Sequence, residues 1–122
     1  MASLLIIDDD LTTCDFLRSF FAQKGYKAFV ANDGERGLLI VKEKKPDVIL
    51  LDIKMPDLSG LEVLQKIKEI DKNAKVIMMT AVNDGFVIEM AMKYGAIDYI
   101  TKPFSLEWLE KDVLLKTLEK IL

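Results

Sequence analysis

Histidine is absent from the 122 residues, and cysteine occurs once, at Cys14. The first absence removes imidazole-activated nucleophiles, most catalytic zinc sites and any phosphohistidine of the chain's own. The second leaves no internal disulfide and no cysteine cluster for a structural metal. Three prolines and six glycines are too few for a low-complexity or disordered chain. Basic residues do not exceed acidic ones, 17 against 20, so the clustered positive charge that direct nucleic-acid binders use is missing. No apolar run is long enough to cross a membrane, and Leu4 to Ile7 has no basic region ahead of it, so no signal peptide is expected either. A cytoplasmic location is predicted from these absences together. What is present is a globular composition, 51% apolar, with carboxylates, lysines and hydroxyls as the available chemistry. One domain over residues 1–122 is expected, with no output domain.

Short apolar runs at Leu4–Ile7, Lys27–Ala31, Val48–Leu51, Val76–Met79 and Ile97–Ile100 read as strands buried on both faces. Segments with helical spacing separate them. Cys14, Leu17 and Phe21 mark the first, with Gly25 as its stop signal. The second begins near Asn32 and Asp33, with Glu35 available to close a capping box, and the third has Ser59 followed three residues later by Glu62. The fourth places Val87, Met90, Ala91 and Tyr94 on one face ahead of Gly95, and the fifth starts at Ser105. Strand–helix alternation of this kind predicts an α/β domain: a doubly wound, five-stranded parallel sheet in order 2-1-3-4-5 with five helices, flavodoxin-like.

Ligands of open α/β sheets bind beyond the carboxyl ends of the strands. Those positions hold Asp8, Asp9 and Asp10, then Asp52, then Thr80 and Ala81, then Thr101, Lys102 and Pro103. If the first and third strands are neighbours, Asp8, Asp9 and Asp52 crowd together. Two carboxylates about 5 Å apart repel by roughly 3 kcal/mol at an effective dielectric near 20, so the group calls for a cation. Hard oxygen ligands and open positions for phosphate suit Mg²⁺ better than Ca²⁺. A carboxylate attacks phosphorus well only when the phosphoryl charge is neutralised, and a metal with Lys102 beside it can do that. Thr80 could hydrogen-bond a phosphoryl oxygen, and Ala81 leaves room for a donor. Asp10 is read instead as an N-cap or first-turn acid, and Cys14 as a small buried hydrophobe rather than a redox sensor. The methionines at 78, 79, 90 and 92 are expected in or near the core.

Over its whole length the chain resembles a response-regulator receiver domain of two-component signalling, of the stand-alone, chemotaxis-regulator-like kind. The matching residues are Asp8-Asp9 after Leu-Leu-Ile-Ile, Asp52 in Leu-Leu-Asp-Ile-Lys-Met-Pro, Asp57 through Gly60, Thr80-Ala81, and Tyr99-Ile-Thr-Lys102-Pro103-Phe104. The resemblance implies Asp52 as phosphoacceptor, Asp9 as direct Mg²⁺ ligand, Asp8 as ligand through water and the Lys54 backbone carbonyl as a further ligand. It implies Thr80 and Tyr99 as a switch pair, and Lys102 as phosphate counter-ion ahead of a cis peptide to Pro103. It further implies transfer from the phosphohistidine of a sensor histidine kinase, then signalling to a downstream target protein through helix four, strand five and helix five. On the residues alone Tyr99 reads as strand packing, and only the family resemblance raises it to a switch residue. Dehalogenase-like phosphatases also use a strand-end aspartate but need a second acid two residues on, where this chain has Lys54. A kinase-docking face is predicted at Leu11, Asp15, Arg18 and Ala22, with Phe104. On the last helix Trp108, Leu115, Leu118 and Leu122 form a second apolar stripe, read either as a frayed end or as a weak dimer or partner contact.

Overall fold

The computed structural model describes residues 2–55, 57–80 and 85–102. Over these the order is β1 (Ser3–Ile7), α1 (Leu11–Gln23), β2 (Lys27–Ala31), α2 (Gly34–Lys44), β3 (Val48–Asp52), α3 (Gly60–Ile70), β4 (Val76–Thr80), α4 (Gly85–Lys93) and β5 (Asp98–Thr101). All pairings are parallel, and the sheet runs β2-β1-β3-β4-β5 as expected. The predicted fifth helix, the second apolar stripe on it, and Ala81, Pro103 and Phe104 lie outside the described residues.

Strand alternation splits the core in two. Leu4, Ile6, Val48, Leu50, Ile77 and Met79 face α1, where Cys14, Leu17, Phe20 and Phe21 are buried against them. Leu5, Ile7, Ile49, Leu51, Val76 and Met78 face the other way and pack on Val41, Val63, Leu64, Ile67 and Ala91 of α2, α3 and α4. Of the three central strands, β3 and β4 are buried throughout and β1 at every residue but Ser3. The outer two are not: β2 exposes Lys27 and half-buries three residues, and β5 buries only Ile100 among its four, because an edge strand has cover on fewer sides.

Local signals account for most element ends. Asp10 caps α1 by accepting from the Thr12 N–H, Ser59 caps α3 through the Glu62 N–H, and Gly25 and Gly95 take positive φ after α1 and α4. Four expectations change. The cap of α2 is Asp33, accepting from the Arg36 N–H, so the Asn32–Glu35 capping box does not form. Asn32 instead donates to the Asp8 carbonyl at 3.2 Å. Strands β3 and β4 reach one residue further than their apolar runs, taking in Asp52 and Thr80, while β5 is displaced by one to Asp98–Thr101. Ile97 precedes β5 and is 38% exposed, and Met92 turns to solvent on α4 at 44% exposure, because only the Ala91 side of that helix meets the sheet.

Candidate functional site

The alternation that builds the core also aims the polar residues that follow it. Ile6 pairs with Leu50 and Ile7 with Leu51, so continuing the register by one residue puts Asp8 opposite Asp52 on the α1 side of the sheet. Lys102, two residues beyond Ile100, falls on that same side. Oxygens of Asp8, Asp9 and Asp52 lie within 4.8 Å of one another. The Lys102 Nζ donates to Asp8 Oδ2 at 2.6 Å and stands 3.6 Å from Asp52 Oδ1. Asp8 and Asp52 are buried, whereas Asp9 is exposed.

Backbone bonds hold these residues in place. The Asp8 N–H donates to the Ala31 carbonyl at 3.0 Å, and the Asp8 carbonyl accepts from the Cys14 thiol at 3.2 Å as well as from Asn32. The Asp10 N–H donates to Asp8 Oδ1 at 3.0 Å. The Lys102 N–H donates to the Thr80 carbonyl at 2.7 Å, tying the lysine to the end of β4. Asp10 itself is spent on the first turn of α1, taking the Thr13 hydroxyl at 2.8 Å, which lowers its pKa. Cys14 is a buried thiol whose pKa burial raises to about 11, so it stays protonated.

Burial is also the largest influence on Asp52, and with the nearby Asp8 charge it lifts the carboxyl to about 6 against the opposing pull of Lys102. For Lys102 burial works against the charge, but the hydrogen bond it donates to Asp8 and the two carboxylate charges outweigh it and raise its pKa. The rim is thus an excess of acid around one ammonium. Three hard carboxylate groups of this kind fit Mg²⁺.

Thr80 is buried at the same rim and lies in register with Thr101. Tyr99, in register with Met78, shares Thr80's face of the sheet and is 43% exposed. Lys54 is exposed two residues past Asp52. On α1, Leu11, Asp15, Arg18 and Ala22 are all exposed, with Leu11 at 63% beside the acidic rim. Two features were not foreseen from sequence. The nearest acid to Lys102 is Asp8 rather than Asp52, and Asp57 accepts from the Gly34 and Glu35 N–H groups at the start of α2. Neither has a local pattern that announces it.

Fold and rim define a doubly wound α/β domain with a lysine-bearing acidic pocket at the carboxyl edge of its sheet. Residues 4–114 match the response regulator receiver domain, and the chain belongs to that family, the receiver domains of two-component signalling. It is 38% identical over 104 residues to sporulation initiation phosphotransferase F of Bacillus subtilis, covering 85% of this chain and 84% of that protein. It is 35% identical over 119 residues to the transcriptional regulatory protein ZraR of Escherichia coli, covering 98% of this chain but 26% of that one. The chain therefore spans about a quarter of some relatives and most of others. Among solved structures it is similar to CheY in the CheX–CheY–BeF3–Mg complex of Borrelia burgdorferi, at 31% identity and TM-score 0.84 over 98% of this chain and 86% of that one. Receiver domains bind Mg²⁺ at an acidic pocket, and Asp8, Asp9 and Asp52 form that pocket here.

Proposed function

We propose that this chain is a receiver that takes a phosphoryl group from the phosphohistidine of a sensor histidine kinase onto Asp52. The observation that carries the reading is a buried aspartate lying 3.6 Å from a lysine ammonium within a three-carboxylate cluster. An Asp52 oxygen attacks phosphorus as the P–N bond of the phosphohistidine breaks, and the imidazole leaves with the electron pair. With its pKa near 6, Asp52 is mostly ionised at neutral pH and still poorly solvated, which suits a carboxylate nucleophile. Asp9, Asp52 and the Lys54 carbonyl, with Asp8 through water, would hold Mg²⁺, which when bound would supply positive charge for the phosphoryl oxygens. Lys102 shifts its ammonium from Asp8 to the new phosphoryl group, and the Thr80 hydroxyl donates to a second oxygen.

Tyr99 then turns inward from its exposed position, altering the surface of α4 and β5 that a downstream protein reads. Phe86, Met92 and Ile97 on that surface are exposed apolar side chains, which supports a protein partner there. The exposed outer face of α1 at Leu11, Asp15, Arg18 and Ala22 is the proposed kinase contact. Among the described residues no helix is long and apolar enough to cross a membrane.

Incubation with phosphoramidate and MgCl₂ tests the chemistry by intact mass. The expected result is an 80-Da adduct, one phosphoryl group replacing one proton, that is labile to hydroxylamine, does not form when EDTA replaces MgCl₂ and is absent from Asp52→Asn. A stable adduct, or one that survives that substitution, overturns Asp52 as acceptor. Transfer from phosphorylated candidate kinases then identifies the donor.

A further inference from the structure

The segment between Asp52 and α3 carries the Lys54 carbonyl, and two sets of hydrogen bonds hold it. At its far end the Gly60 N–H donates back to the Ile53 carbonyl at 2.7 Å. Midway, Asp57 reaches across to α2: Oδ1 accepts from the Gly34 N–H at 3.1 Å and Oδ2 from the Glu35 N–H at 3.2 Å. The helix does not need Asp57 for a cap of its own, because Asp33 takes the Arg36 N–H at 2.8 Å. Backbone donors, Gly34 first and then Leu58 and Glu35, hold the Asp57 carboxyl below its ordinary pKa, in keeping with an anion seated on a helix amino end.

The junction is also tight. A Cβ at Gly34 would meet Val63 Cγ2 at 2.7 Å and Leu58 at 3.3 Å, so the start of α2 has little room to move relative to Leu58 and α3.

We propose that Asp57 is a positioning residue for the cation pocket: by fastening the β3–α3 segment to the start of α2 it sets where the Lys54 carbonyl stands relative to Asp52, and so sets divalent-cation affinity. The inference rests on the reading of Asp9, Asp52 and the Lys54 carbonyl as ligands. A ligand group already held in place binds without first losing conformational freedom, and groups supporting a metal ligand commonly change affinity tenfold or more.

Calorimetric titration with MgCl₂ at about 0.15 M salt, where exposed charges are screened, tests this on folded protein. Asp57→Ala is expected to weaken binding roughly tenfold and Asp57→Asn, which keeps one acceptor, by less. Asp33→Ala removes a hydrogen bond from the same helix turn without touching the β3–α3 segment, and is expected to bind as wild type does. By reciprocity, MgCl₂ should slow amide exchange at Gly34 and Glu35 in the unaltered protein, and not at Arg36. That measurement serves even if Asp57→Ala does not fold. Equal affinity of Asp57→Ala and wild type, equal weakening by Asp33→Ala, or unchanged exchange at Gly34 and Glu35 sinks the inference. Should the wild type fail to bind, or Asp9→Asn bind as well as wild type, the ligand assignment itself falls.

Discussion

Asp52 is required to be both buried and ionised, and the two demands conflict. Its folded-state pKa of about 6 lies above the ordinary carboxyl value of 3.8, with burial the first cause and Asp8 the second. Between those two values the folded protein holds the proton more tightly than the unfolded chain. Raising the pH through that interval therefore favours unfolding. In EDTA, the Asp52 contribution to stability should fall as pH rises from about 4 to about 6. Asp10 and Asp57, whose pKa values are lowered, work in the opposite sense at more acid pH. The quantity to follow is thus the difference between wild type and Asp52→Asn in urea unfolding across this range. Parallel curves for the two proteins would show that Asp52 carries no such cost.

The β3–α3 connection shows how an element end constrains a site. Gly60 opens α3 so close to β3 that a Cβ there would overlap the Asp52 carbonyl oxygen and the Ile53 Cα. Both are backbone atoms, which cannot step aside as the tip of a long side chain can. Gly60→Ala gains little from helix propensity at a first-turn position and must displace the strand end, so it is expected to cost about 1–3 kcal/mol in urea unfolding. Gly85 opens α4, and among the described residues nothing lies within 4 Å of a Cβ placed there. Gly85→Ala should leave stability equal or slightly higher, and a comparable loss at both positions would mean that loss of glycine, rather than crowding at β3, is responsible.

For the whole domain, the cation pocket draws on β1, β3 and β5, so filling it stabilises the sheet as a unit. Mg²⁺ at a hundred times its dissociation constant is expected to add about 2.7 kcal/mol to unfolding, seen as a concentration-dependent rise in melting temperature. Asp9→Asn should remove most of that rise while leaving the metal-free stability nearly unchanged, because Asp9 is exposed. A rise that persists in Asp9→Asn would place the cation elsewhere. The same accounting bounds the proposed switch. Taking the α4–β5 surface from about 1% to about 99% active needs roughly 5.5 kcal/mol of preference for the active state, an amount that charge-assisted bonds to three phosphoryl oxygens can furnish.

Local chemistry made much of this molecule readable in advance. Runs such as Val48–Leu51 read as strands covered on both faces, Ser59 with Glu62 begins the third helix, Asp10 caps the first, and a parallel arrangement sends Asp8, Asp52, Thr80 and Lys102 to one edge. Those inferences rest on periods of two and 3.6 residues, which any short window displays. Contacts between residues far apart along the chain were not readable. Asp57 sits 23 residues from Gly34, Lys102 sits 94 from Asp8, and Asn32 abandons its helix turn for the Asp8 carbonyl. Met92 faces solvent because α4 offers the sheet only its Ala91 side. Such pairings depend on how helices seat on the sheet once the core has closed. That seating is settled by packing summed over the whole domain, and no stretch of neighbouring residues contains it.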